Sequence, residues 1–314
     1  LAVVAIALPW AFYDWGTGRH SGFMISMLSQ TGMMVILALS YNMLMGQAGM
    51  LSFCHAVFFG IGGYVCIHLL TSIGKDSVPI PMELVPIFGG LSGLVLALIF
   101  GYMATKQRAT AFAMITMGIG ELLGTAAVMF HHFFGGEGGV STDRMIDRSL
   151  FGLSYAQGIE VYYLIVIWTA ISVGGMYFIT QTPLGRMANA CRDNYERAQF
   201  VGYDPRIVRF VQFALSGLFA GIGGALYVPQ VGIINPSEFA PANSIEAVIW
   251  VAVGGRGTLT GAIVGAVLVN FGKTWFTGAL PELWLYALGA LFILVTLFLP
   301  KGVIGVFSGR GAGK

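Results

Sequence analysis

Long apolar runs constrain this chain more than any other feature. Leu84 to Thr105 and Leu283 to Leu299 carry no charged side chain and do not alternate apolar with polar residues. A bilayer core about 30 Å thick needs ~20 apolar residues per helical span. In lipid only helices and closed barrels satisfy every backbone polar group, and barrel strands alternate. These runs therefore specify membrane-spanning helices. Composition agrees: 56% of residues are hydrophobic, 10% are charged, and the mean hydropathy is +0.80. Ordinary soluble domains carry about 25% charged residues. The predicted class is an all-α membrane protein, a polytopic bundle of about nine (8–10) helices with Gly-interrupted segments, making one transmembrane domain over 1–314.

The remaining composition removes several function classes. A net charge of +2 leaves no nucleic-acid footprint. Three cysteines, Cys54, Cys66 and Cys191, are an odd number without repeated spacing, so neither a disulfide framework nor a zinc site is expected. Gly272-Lys273-Thr274 resembles the end of a phosphate loop. However, the loop needs a glycine where Val267 stands, and the stretch is apolar. No metal set, cofactor or catalytic residues are expected, and the chain carries no nucleotide site of its own.

The predicted spans are 1–13, 22–45, 50–73, 84–105, 111–131, 161–180, 207–229, 244–275 (broken) and 283–300. Because the chain begins at Leu1 rather than Met, 1–13 reads as the tail of a first span or the remnant of a targeting segment. Lys106, Arg108, Arg186, Arg192, Arg197, Arg206, Arg209, Arg256, Lys301, Arg310 and Lys314 must share one side, against Arg19, Lys75, Arg144 and Arg148 on the other. Lys and Arg concentrate in cytoplasmic loops. The first group therefore marks the cytoplasm, and loops 132–160 and 230–243 face outward.

Two glycine interruptions stand out. Gly46-Gln47-Ala48-Gly49 separates the second and third spans. Gly254-Gly255-Arg256-Gly257-Thr258 breaks the eighth. In transporters, Gly-interrupted segments in corresponding halves point to a translocation site. The competing reading, of equal weight, is two tight turns between ordinary helices. Small-xxx-small pairs (Gly89/Gly93, Gly120/Gly124, Gly217/Gly221, Gly261/Gly265) favour close helix packing. The ionisable residues within spans are His55, His68, Glu121 and Glu246, with Lys273 near an outer end. Such groups usually face a cavity or a partner. Glu121 and Glu246 are candidates to meet a polar solute or a proton, and interhelical pairing is the plainer alternative. The path candidates are Gly46, Gln47, Gly49, His55, Glu121, Glu246, Gly254, Gly255 and Gly257.

Loop 181–209 is the most informative polar stretch. Pro183 is placed to open a short helix and Gly202 to close one. Within it, Glu196-x-Ala198-x-x-x-Gly202 matches the core of the Glu-Ala-Ala-x-x-x-Gly loop of bacterial ABC importer permeases, in which a short coupling helix docks on the ATPase. Otherwise the loop is a basic segment that only fixes topology. Four segments carry a wider resemblance: Gly46 to Tyr64, Arg192 to Ala198, Ala214 to Leu226 and Val253 to Ala262. In order and spacing they resemble the M-type membrane subunits of branched-chain amino acid ABC importers. Cys54 stands where that family commonly has glycine. The stretch from Pro281 to Gly302 is also similar to urea and short-amide members.

The resemblance implies a permease subunit in the bacterial inner membrane. Its implied partners are a second permease subunit, two cytoplasmic ATPase subunits and a periplasmic binding protein. Coupling to the ATPase would fall on Arg192, Asp193, Glu196, Ala198 and Gly202. The solute would pass near the glycine interruptions, where unwound backbone offers hydrogen bonds that a polar cargo needs, since burying polar groups unpaired costs several kcal/mol. A proton-coupled secondary transporter using Glu121 or Glu246 is the alternative from another class.

Overall fold

The computed structural model describes residues 9, 13–14, 19–75, 79–107, 109–142, 155, 158–200, 202, 204–280, 283–299 and 302–308. Two short strands, β1 (Tyr13–Asp14) and β2 (Arg19–His20), pair antiparallel. Helix α1 (Gly22–Asn42) runs into a π turn, Met43–Gln47. Then follow α2 (His55–Gly74), α3 (Val85–Ala104), α4 (Ala109–Met129) and the single turn α5 (His131–Phe134). Strand β3 (Val140–Ser141) precedes α6 (Gly158–Gln181), α7 (Pro183–Asp193), α8 (Tyr195–Phe200) and α9 (Pro205–Val231). Strand β4 (Ile233–Ile234) and the 3-10 turn Pro236–Phe239 lead to α10 (Pro241–Gly254), α11 (Leu259–Ala279), α12 (Trp284–Phe298) and α13 (Gly302–Ser308). Among the described residues, 8 helical stretches are long and apolar enough to cross a membrane. The expected span 1–13 lies outside the described residues except for Pro9 and Tyr13.

Local chemistry places the helix ends. Asp204 caps α9, its carboxylate accepting from the Arg206 amide at 2.9 Å, with Pro205 in the first position. Thr258 caps α11 by accepting from the Gly261 amide at 3.1 Å. Pro183 opens α7 as its sequence position predicts. Side chains at these caps satisfy amides that a helix start leaves free.

Helix α9 is the central post, buried along most of its apolar length, whereas α12 at the periphery is mostly uncovered. Its small residues make this possible. A Cβ added at Gly221 would strike the Gly89 carbonyl of α3, one at Gly93 would strike the Gly217 carbonyl, and one at Gly62 of α2 would strike the Gly221 carbonyl. Two of the small-residue pairs, Gly89/Gly93 and Gly217/Gly221, thus pack against each other, backbone on backbone. Without a hydrophobic drive between helices in lipid, such close approach is what holds them together.

The eighth segment reverses direction. Gly255 (φ 123°) and Gly257 (φ 91°) adopt backbone angles open to glycine and costly for other residues, and α11 folds back along α10. A Cβ on Gly254 would lie 2.8 Å from the Gly265 nitrogen, so the two helices touch at the turn. The interruption is a helical hairpin rather than a kink within one span. At 14 residues, α10 is about 21 Å long, shorter than the hydrocarbon core. At the opposite end β3 pairs with β4, Val140 opposite Ile234, and joins the loops 132–160 and 230–243 expected to share a side. The end holding α7, α8 and the Gly254–Thr258 turn is the one where the basic residues gather.

Candidate functional site

Between the π turn and α2 the chain leaves helical geometry. The sequence reading starts the third span at 50, but Ala48 to Cys54 is not helical and α2 begins at His55. Three other helices hold this stretch. The Tyr41 hydroxyl donates to the Ser52 carbonyl at 3.0 Å. The Phe53 amide donates to Thr116 Oγ1 of α4 at 3.1 Å, and the Ala56 amide to Ser244 Oγ of α10 at 2.9 Å. Thr116 is the eighth of the 21 residues of α4, so the irregular backbone sits inside the span rather than at its end. Non-helical backbone is tolerated there only where protein or a cavity supplies partners.

A groove of about 550 Å³ runs beside this stretch, lined by Gly120, Glu121, Gly124, Thr125 and Val128 of α4 with Glu137, Pro236, Ser237, Ala240 and Pro241. Gly120 connects the two features, since a Cβ there would meet the Phe53 carbonyl at 3.4 Å. Glu121 is exposed on the groove wall. His55 is fully buried, its Nε2 at 2.9 Å from Ser40 Oγ and its ring edge-on to Tyr41 and Phe58. Glu246 is not beside the groove's carboxylates: it is clamped by Lys273 Nζ at 2.8 and 3.0 Å. That is the interhelical pairing alternative for Glu246.

The glycine candidates gather lower, at the basic end. Asn42, fully buried, accepts from the Gly257 amide at 3.0 Å through Oδ1 and donates to the Thr258 carbonyl at 3.2 Å through Nδ2. One amide side chain thus ties the two glycine interruptions together. A Cβ on Gly46 would sit 2.6 Å from the Gly257 nitrogen. Gln47 donates to Thr180 Oγ1 at 2.8 Å, just before α7. Gly254 and Gly255 are covered by Gly302 at the start of α13.

The residues of loop 181–209 fall on two short helices. Helix α7 buries Gly185, Ala188 and Cys191 and exposes the opposite side. Arg192 turns inward: Nη1 donates to the Gly46 carbonyl, while Nε holds Asp193 Oδ1 at 3.0 Å. Asp193 and Glu196 are exposed and Ala198 is buried. Gly202 (φ 92°) follows α8, its amide donating to the Gln199 carbonyl at 2.9 Å. Sequence reasoning missed Phe200, which is 90% exposed on α8, and Asn42, whose partners lie more than 200 residues away. Arg209, expected in the loop, is buried against Met50 Sδ at 3.1 Å and the Phe112 ring.

Spans packed on a glycine-lined post, an irregular stretch inside the span beside a groove, and an amphipathic helix tied to that stretch from one end define a polytopic membrane permease. The chain belongs to the family of permease components of branched-chain amino acid transport systems, whose sequence profile matches residues 23–296. It is 24% identical to the high-affinity branched-chain amino acid transport system permease LivM of Escherichia coli K12, over 97% of this chain and 74% of that one. It is 25% identical to BraD of Pseudomonas aeruginosa, over 86% of this chain and 91% of that one. The xylose transport permease XylH of Escherichia coli is 26% identical over 43% of this chain and 36% of its own length. No solved structure matches the chain.

Proposed function

We propose that this chain is one of the membrane-spanning subunits of an ATP-driven ABC importer of branched-chain amino acids or related small polar solutes in the bacterial inner membrane. The observation that carries the reading is the irregular stretch Ala48–Cys54 inside the span beside the Glu121 groove, in a chain of this family. The groove is one wall, and a second permease subunit closes it. A cargo ammonium group finds its countercharge at Glu121, and apolar lining such as Val128 and Pro241 faces the cargo's hydrocarbon part. Loaded binding protein docks on the loops joined by β3 and β4. At the basic end, Asp193, Glu196 and Phe200 are the exposed groups offered to the ATPase, with Ala198 and Gly202 shaping the α8 turn.

The relatives include permeases of amino acid and of xylose systems, so the cargo class is a small polar solute. A urea or short-amide cargo fits the same groove chemistry. A proton-coupled carrier is the second reading, favoured by the exposed Glu121 on a span; the Lys273 pair on Glu246 weighs against it.

Gentle purification of the tagged chain from its native membrane, followed by mass spectrometry, tests the reading. Stoichiometric recovery of an ATPase and a second permease is the expected result. Recovery of this chain alone, transporting under a proton gradient, overturns it and makes Glu121 the proton carrier.

A further inference from the structure

Arg192 belongs, by sequence, to the helix that faces a cytoplasmic partner, and its partly exposed guanidinium reaches from there to the Gly46 carbonyl of the bundle. The π turn explains why it is needed there. Met43 and Leu44 give their carbonyls to the amides of Ala48 and Met50 at 3.3 and 3.0 Å. The chain then leaves the helix, and the Gly46 carbonyl has no helical amide to accept from. The last carbonyls of a helix carry partial negative charge and favour a cation. Arg192 supplies that cation from α7. Its aliphatic stem also lies on Gly49 (φ 67°), where a Cβ would stand 2.7 Å from Arg192 Cγ.

The upper end of the irregular stretch is fixed by Tyr41, Thr116 and Ser244. Its lower end is fixed by Arg192 and, through the π turn, by Asn42 on the Gly257 turn. We infer that Arg192 is the positioning residue that carries motion of α7 into the path: it couples the partner-facing helix to the stretch Ala48–Cys54 and, through Asn42, to the α10–α11 hairpin. Arg192 thereby acts on the path through the Gly46 carbonyl, whatever its exposed part offers to the ATPase. Displacing α7 pulls the Gly46 carbonyl and moves the lower end of the path wall, while the upper end stays with α4 and α10. This inference rests on the ATP-driven reading.

The test uses the complete importer in proteoliposomes, with solute uptake and ATP hydrolysis measured in the same preparation. Loss of a charge-assisted hydrogen bond in a half-exposed site is worth roughly tenfold in an equilibrium. Arg192→Ala is therefore expected to lower solute moved per ATP hydrolysed by about tenfold. ATPase recovery should remain at the wild-type level, and Arg192→Lys should restore part of the ratio. Hydrogen exchange should rise in 46–54 and 254–258 but not in α9. Where Arg192→Ala does not assemble, Asn42→Asp removes the donation to Thr258 while keeping the acceptor for Gly257, and should uncouple in the same direction. An unchanged transport-to-hydrolysis ratio in either assembled variant overturns the inference, as does loss of bound ATPase from Arg192→Ala. Wild-type importer that shows no ATP-driven uptake instead refutes the ABC reading itself.

Discussion

Replacing Gly221 by alanine puts a methyl group where α9 and α3 touch through their backbones. Besides striking the Gly89 carbonyl oxygen, the new carbon would stand 3.1 Å from the Gly89 carbonyl carbon and 3.2 Å from Gly90 Cα. Carbon atoms rest about 3.5–4.0 Å apart, so α3 and α9 must separate by roughly 0.5–1 Å. No flexible side chain is available to yield. Overpacking costs about 1–3 kcal/mol. The upper half applies here, because Gly62 of α2 also rests on the Gly221 backbone and must follow. At about 3 kcal/mol the folded-to-unfolded ratio falls by roughly two orders of magnitude. Unfolding in mixed micelles by detergent titration reads this directly, with Gly289→Ala as the control, since a Cβ there meets nothing within 4 Å. A Gly221→Ala curve lying on the control curve would refute the account of α9 as a glycine-fitted post.

Three further outcomes follow from single contacts. Glu246→Gln leaves Lys273 without its carboxylate; the pair is partly solvated, so the loss is about 1 kcal/mol in the same titration, and uptake persists without a change in its dependence on the proton gradient. Phe200→Ala removes an exposed aromatic anchor, and ATPase retention on affinity resin should fall roughly tenfold or more while the permease elutes normally. Glu238, in the outer turn, has its carboxyl held above the ordinary 4.5, chiefly by burial and partly by Glu246, against the lowering effects of the Tyr227 hydrogen bond and Lys273. The folded chain then holds that proton more tightly than the unfolded one, so stability falls as pH climbs from about 4.5 through the raised value. Melting scans of Glu238→Gln should lose that slope, and an unaltered slope would assign it to another group.

The spans were legible because lipid demands apolar length, and length can be read without knowing what packs on what. Gly254 to Thr258 was legible as an interruption, and positive φ at Gly255 and Gly257 turned it into a reversal. The start of α2 was not legible. Met50, Leu51 and Phe53 are apolar enough to pass as helix, and hydropathy is blind to whether a buried stretch is helical or extended. What decides the matter is a set of partners from α1, α4 and α10, namely Tyr41, Thr116 and Ser244, and no local pattern announces them. The Arg192 contact was illegible for a related reason. In sequence Arg192 belongs to a basic loop, and only the fold puts the Gly46 carbonyl within its reach.

Under the proposed function the groove is one wall of a path shared with a second subunit. Its described lining residues offer two carboxylates, hydroxyls at Thr125 and Ser237, and small or apolar surface, with no basic side chain among them. A wall of that chemistry receives an ammonium group and a hydrocarbon side chain well. It leaves the carboxylate of an amino acid without a countercharge, and an unpaired carboxylate enclosed in the path is costly. On that reading the missing cation or amide donors come from the facing subunit. A heterodimer whose second chain carries a basic or amide-rich wall opposite Glu121 satisfies a zwitterion. Two copies of this chain instead present four carboxylates to one cargo and favour a cation. Measuring uptake of a zwitterion against its decarboxylated amine by the intact importer, before and after Glu121→Gln, separates the two. In the heterodimer the zwitterion is preferred and the substitution weakens both cargos; a preference for the amine points to paired copies.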